Sequence, residues 1–354
     1  MMVNKKKINL LRFNRLIADP RAVFLFSVLL VVVLFFFYRS ATASQLVTYH
    51  QVVMDTSVEL RFETRPGINP EELRDQVFSE MERLELIFSR SKLNSEISEI
   101  NRRAGQTEVT TGPEMTELLT ETFYYAEISE GSFDPTIAPL VDLWGFLGQH
   151  YHLPDQEELA EFLPLVDYSK VQFDQYDSTL KFAEQQMALE LGGIAKGYIV
   201  DRALGLLIAA GIENAFINAG GDIATIGGRP DGTPWRIGIR HPRDANRIIA
   251  VLPVMEGAVV TSGDYERFFE VNGTSYHHIL DPKSGMPAAG LSSVTIMAET
   301  TTAADALSTA VFVSGPDQGL RIIERLPGVE GILITSGFDI LVSSGLSGLV
   351  ELNN

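Results

Sequence analysis

Asp305 and Thr309 stand four residues apart in the stretch TTAADALSTA, residues 301–310. If the segment is helical from Ala303, that spacing sends a carboxylate and a hydroxyl off one face, where both can reach a single polar object. The same stretch allows a local reading, Thr302-x-x-Asp305 as a capping box at a helix start. His277 and His278 raise a second question in FFEVNGTSYHHIL, residues 268–280. Neighbours on a strand point to opposite faces, so only one of the two can share a site with its surroundings, and the bland reading is an ordinary partly buried histidine. LELGGIAKGYIVDRA (189–203) runs from a strand through Gly192-Gly193 into a helix with Lys196 near its start, a pattern that lets backbone groups approach an anion or metal, with the lysine adding positive charge. GSFDPTIAPLVDLWGF (131–146) sets Asp134 at a Pro-fixed turn, and INAGGDIATIGG (217–228) breaks a strand at Gly220-Gly221 before Asp222. Neither G-x-G-x-x-G nor G-x-x-x-x-G-K-[ST] occurs, so Rossmann and Walker sites are unsupported.

The elements that must hold these residues read as one α+β body, with mixed and antiparallel sheets flanked by helices, from Thr48 to the C-terminus. A first strand region covers about Thr48 to Thr64. A helix follows Asn69-Pro70 with Leu73, Val77, Met81, Leu84 and Phe88 at turn spacing, and another runs from Pro113 to Ser129. Short strands are expected around Val171, Leu180, Leu189, Phe216, Ile237, Val251, Phe269, Thr295, Leu333 and Leu341. Asn272-Gly273 between β-prone arms marks a type I′ hairpin. Regular βαβ alternation is missing, which favours α+β over a doubly wound sheet.

Composition narrows the chemistry. The chain has 354 residues, a net charge of −18 and no cysteine. Disulfides, thiolate metal sites, cysteine nucleophiles and a lipid-modified cysteine are excluded. Nucleic acid is not an expected partner, because such binders present basic patches to phosphates. Residues 1–21 form a basic leader and the uncharged run Ala22 to Tyr38 a transmembrane or signal-anchor helix; residues 39–47 are a linker and 48–354 the catalytic body. The leader puts the N-terminus in the cytoplasm and the rest outside a bacterial inner membrane, on the periplasmic side, with cleavage after the ATA of 41–43 the other possibility. Beyond residue 39 the net charge is −24.

Seven stretches in order resemble the ApbE-like flavin transferases: MDTSVEL (54–60), FSRSKLNSEISEIN (88–101), GSFDPTIAPLVDLWGF, LELGGIAKGYIVDRA, INAGGDIATIGG, TSGDYERFFEVNGTSYHHILDPKSGMP (261–287) and AADALSTAVFVSG (303–315). The resemblance implies an ApbE-like, T-fold-like body that transfers FMN from FAD to a Thr or Ser hydroxyl of an exported or membrane-associated acceptor and releases AMP. It implies Mg²⁺ on Asp305, Thr309 and Gly193, and FAD contacts at Met54, Ser91, Ser132, Phe133, Asp134, Glu190, Lys196 and Leu280. Relatives often carry an aromatic where Ser91 stands and aspartate where Glu190 stands. His278 matches the family's catalytic histidine. Expected partners are FAD, the inner membrane and flavin-carrying subunits of membrane redox complexes. An FAD pyrophosphatase releasing FMN and AMP, or a non-catalytic FAD-binding protein, are the alternatives.

Overall fold

The computed structural model describes residues 20–41, 44–148 and 150–352. It divides into two units, residues 1–46 with 64–68 and residues 47–63 with 69–354. In the first, a helix spans Pro20–Ala41 and covers the apolar run. Among the described residues no helix is long and apolar enough to cross a membrane.

The second unit is organised by an eight-stranded sheet whose spatial order follows the chain: β1 (Leu46–Val53), β2 (Thr56–Glu63), β3 (Ala215–Ala219), β4 (Asp222–Ile226), β5 (Gly257–Gly263), β6 (Leu291–Ala298), β7 (Glu330–Thr335) and β8 (Ile340–Val342). Pairings from β2 through β8 are antiparallel. Helices Ala195–Ala209 and Thr301–Arg325 pack on one face, the first lying against β3 and β4, the second against β5 and β6. The other face is covered by a small sheet of Trp235–His241, Asp244–Val254 and Glu351–Leu352, with Ile223, Ile237, Ile249, Leu252, Val259 and Ile332 in the layer between. This double cover explains why β4 is buried along its whole length and shows no polar alternation.

Local expectations hold where the code is short-range. The Pro70–Phe88 helix buries Leu73, Val77, Met81, Leu84 and Phe88, and its cap Asn69 accepts from the backbone N–H of Glu71. The second expected helix spans Pro113–Ile128. The hairpin Phe268–Val271/Thr274–His277 turns at Asn272 and Gly273, with φ of 51° and 79°. Two expectations are corrected. The Thr48–Thr64 region is two strands, because Met54 and Asp55 adopt φ of 56° and 55° and reverse the chain. Leu189 is in no strand: Asn101 clamps its N–H and C=O with its side chain instead of a neighbouring strand. The long helix breaks at Gly315, φ 74°, before Pro316.

Candidate active site

Two helices cap one another at the centre of the second unit. The Ala195–Ala209 helix begins after Ile194, which has no side-chain acceptor for the first amides. Asp305 Oδ2, from the other helix, accepts the Gly197 N–H at 3.0 Å and does that work. In return Asp201 accepts the N–H groups of Thr301 and Thr302 at 2.8 Å each, and the Thr302 hydroxyl at 2.6 Å. The Thr302-x-x-Asp305 capping box is therefore absent: the N-cap is Thr300, which accepts from Ala303 N–H, and the Thr302 hydroxyl donates to Asp201 instead. So close a crossing requires glycine, since a Cβ at Gly197 would stand 2.4 Å from the Thr301 carbonyl oxygen.

The crossing brings the expected cation ligands together. A Cβ on Gly193 would lie 3.2 Å from Thr309 Oγ1 and 3.3 Å from the Phe133 ring, so the glycine leaves open a small cradle between its backbone and that hydroxyl. Asp305 lies one turn before Thr309 on the same helix and is 5 % exposed. Among the described residues no group of three or more His, Asp or Glu is arranged as a metal cluster. The donors here would instead be one carboxylate, one hydroxyl and one carbonyl, a hard-oxygen set of the kind Mg²⁺ takes.

A second carboxylate joins them. The Gly220-Gly221 turn, both residues at positive φ, folds β3 back onto β4 and sets Asp222 at its start. Asp222 is 1 % exposed, and its Oδ1 accepts from Lys196 Nζ at 2.6 Å. Burial pushes the Asp305 carboxyl well above the usual carboxylate range, and the Asp222 charge adds to the push. Burial also raises Asp222, against the pull of Lys196. Burial opposes the charge of Lys196, but Asp222 and Asp305 outweigh it and raise the ammonium's pKa.

The histidines separate, although only His277 is in the expected strand, which ends there, and His278 lies in the bend that follows. His277 faces the core, with Nε2 3.0 Å from the Ala288 carbonyl and its ring edge-on to Phe312. His278 is half-buried and its Nδ1 lies 3.2 Å from the Arg267 carbonyl oxygen. That contact needs hydrogen on Nδ1, so the neutral ring keeps its lone pair on Nε2. Burial, then the Arg267 charge, lower the pKa of His278 to about 4. His278 is thus a neutral proton acceptor throughout the physiological range.

The remaining expected residues differ in character. Arg90, 8 % exposed and not singled out by its sequence context, bridges Asp142 and Glu190, at 2.5 and 2.8 Å. Glu190 also accepts the Gly192 N–H at 2.9 Å, so it braces the glycine turn ahead of Gly193. Ser91 is exposed and shares a hydroxyl contact with Ser89. Met54 occupies the β1–β2 turn, its N–H donating to Glu85 at 3.1 Å. Phe133 is buried against Gly193, next to half-buried Ser132. The Asp134 carboxylate is already engaged by Thr136 N–H, Thr136 Oγ1 and Tyr168 N–H, which leaves its neighbours' backbone as the nearer ligand surface. Leu280 packs its side chain with Leu140, Trp144, Phe146 and Leu159, so a ligand there would meet its main chain. Asp201, Asp222 and Arg90 lay unassigned in the sequence. The glycine pair before Asp222 was the one signal that could have singled any of them out.

The family profile described as the ApbE family matches residues 54–333. A relative from Treponema pallidum, called an FAD:protein FMN transferase, is 32% identical over 312 residues, covering 84% of this chain and 86% of its own length. One from Klebsiella pneumoniae with the same name is 33% identical over 300 residues, 84% of this chain and 92% of its own. Among solved structures, the ApbE protein of Thermotoga maritima superposes with a TM-score of 0.81 at 36% identity, covering 86% of this chain and 99% of that one. The flavin transferase ApbE of Vibrio cholerae gives 0.78 at 26% identity, with 87% and 100% covered.

Proposed function

The chain belongs to the ApbE family, and from that premise we propose that it is an FAD:protein FMN transferase that works with Mg²⁺, modifies a Thr or Ser hydroxyl and releases AMP. The observation that carries this reading is the helix crossing that sets Asp305 and Thr309 beside Gly193, Gly197 and the Lys196–Asp222 pair, with His278 a neutral ring whose Nε2 keeps its lone pair. Lys196, held by Asp222, would meet a diphosphate oxygen, and Asp305, Thr309 and the Gly193 carbonyl would hold the cation. When bound, Mg²⁺ supplies positive charge that offsets the FAD diphosphate in a body of net charge −24.

His278 Nε2 takes the proton of the acceptor hydroxyl, whose oxygen forms a bond to the phosphorus nearer riboflavin. The bond from that phosphorus to the oxygen bridging to AMP breaks, and AMP leaves with the electron pair. Ser132 to Asp134, Glu190, Ser91, Met54 and the Leu280 main chain line the remaining FAD surface in this reading. The acceptor is a flavin-carrying subunit of a membrane redox complex, with the catalytic body held on the periplasmic side of the inner membrane. The support for that placement is the basic leader and the helix Pro20–Ala41, whose described apolar side chains from Val23 to Val32 are exposed. N-terminal sequencing of the mature protein tests retention of the helix: a start at Ser44 would refute it.

Incubation of the protein with FAD, Mg²⁺ and a candidate acceptor, followed by intact mass of the acceptor, tests the activity. A mass gain equal to FMN less water, with AMP in equal amount, is expected. AMP and free FMN with an unmodified acceptor would make the protein a pyrophosphatase, and FAD binding without AMP would make it a carrier.

A further inference from the structure

Resting on the cation site proposed above, we propose that Asp222 belongs to it, its Oδ2 supplying a further oxygen that faces the ion held by Asp305 and Thr309. Asp222 is 1 % exposed, and its Oδ2 has no hydrogen-bond partner. Buried carboxylate oxygens without a partner are costly, and folds keep them where a ligand uses them. Lys196 does not account for this atom, because its Nζ bonds Oδ1. The Asp305 carboxyl is near enough to feel the Asp222 charge, yet it forms no hydrogen bond with Oδ2. Two buried carboxylates from different elements, β4 and the Thr301–Arg325 helix, therefore lie in the field of one ammonium that pairs with Asp222 alone, leaving a net negative charge that a divalent ion neutralises. The turn ahead of Asp222 packs closely on β2: a Cβ at Gly220 would stand 2.2 Å from Thr56 Oγ1.

The test is direct Mn²⁺ binding to the full chain without FAD, read from the loss of the free-ion electron paramagnetic resonance signal. Asp222→Asn should weaken binding by about tenfold or more, since affinity for hard cations follows ligand charge count. Asp305→Asn is the reference. If Asp305→Asn abolishes binding while Asp222→Asn binds like wild type, this inference is overturned and the cation site stands. If neither variant changes binding, the cation site fails and this inference with it. Because Asp222→Asn leaves Lys196 without its carboxylate, the pair Lys196→Met and Lys196→Met/Asp222→Asn provides a background in which no lysine is stranded. A further weakening of about tenfold in the double variant is expected. Equal affinities would mean that Asp222 acts only by holding Lys196, and would overturn the inference.

Discussion

Asp305→Asn separates two roles of one carboxylate, because they predict opposite signs. Without a cation, Asp305 feels the charge of Asp222, which only Lys196 pairs. Two unit charges at about 4 Å repel by ~4 kcal/mol at an effective dielectric of ~20. Avoiding that by taking up a proton near pH 7, on a group with ordinary pKa about 3.9, also costs ~4 kcal/mol. The side-chain amide removes this cost and still offers an oxygen to the Gly197 N–H, losing ~1 kcal/mol of charge-assisted bonding. Lysine screening and relaxation consume part of the difference, so the cation-free variant should be more stable by ~2 kcal/mol, or ~4 °C in melting midpoint. With Mg²⁺ at about a hundred times its dissociation constant, wild type gains ~2.7 kcal/mol and overtakes it. Differential scanning fluorimetry with and without Mg²⁺ reads both signs. A cation-free variant that melts several degrees below wild type, with an equal Mg²⁺ gain in both, would show that Asp305 serves as a helix cap alone.

His278→Ala should lower FMN transfer by roughly 10² to 10⁴-fold with FAD binding retained, whereas His277→Ala should leave turnover near wild type and lower the melting midpoint, because it strips a core ring from Phe312; initial rates beside an FAD titration distinguish them. Since the His278 pKa is lowered to about 4, its base form persists on acidification, and the transfer rate should stay flat from about pH 8 to 6; a half-maximal rate near pH 6.5 would contradict this. The unfolded ring binds protons from about pH 6.5 downward, so the same group should reduce stability as pH falls toward 4, seen as a falling melting midpoint. Asp201→Ala strips the acceptor from two helix-start amides and should cost ~2 kcal/mol in a denaturant titration while raising the Mg²⁺ half-saturation, whereas loss of the remote capping residue Asp155 should cost stability without moving Mg²⁺ dependence.

By itself the sequence determined what short-range physics can encode. Asn69-Pro70 and the apolar turn spacing beyond it set one helix, and Asn272-Gly273 set a hairpin whose second strand ends at His277. The i, i+4 placement of Asp305 and Thr309 on one helix face was likewise local, as was the α+β class. Only the tertiary structure decided what those side chains meet. The Thr302–Asp305 box looked complete in one dimension, yet Asp201, a hundred residues away along the chain, takes the amides that a local cap would need and frees Asp305 to cap the other helix. Leu189 looked like a strand until Asn101, from another element, took both of its backbone bonds. Asp222 read as the residue after a turn. Its meaning comes from the fold of β3 onto β4, which buries it beside Lys196 and Asp305, where an unpaired oxygen becomes costly enough to imply a ligand. Pair spacing within one element is fixed by the chain's own geometry. Which elements touch depends on the sum of many weak burials over the whole sheet, and no short stretch carries that sum.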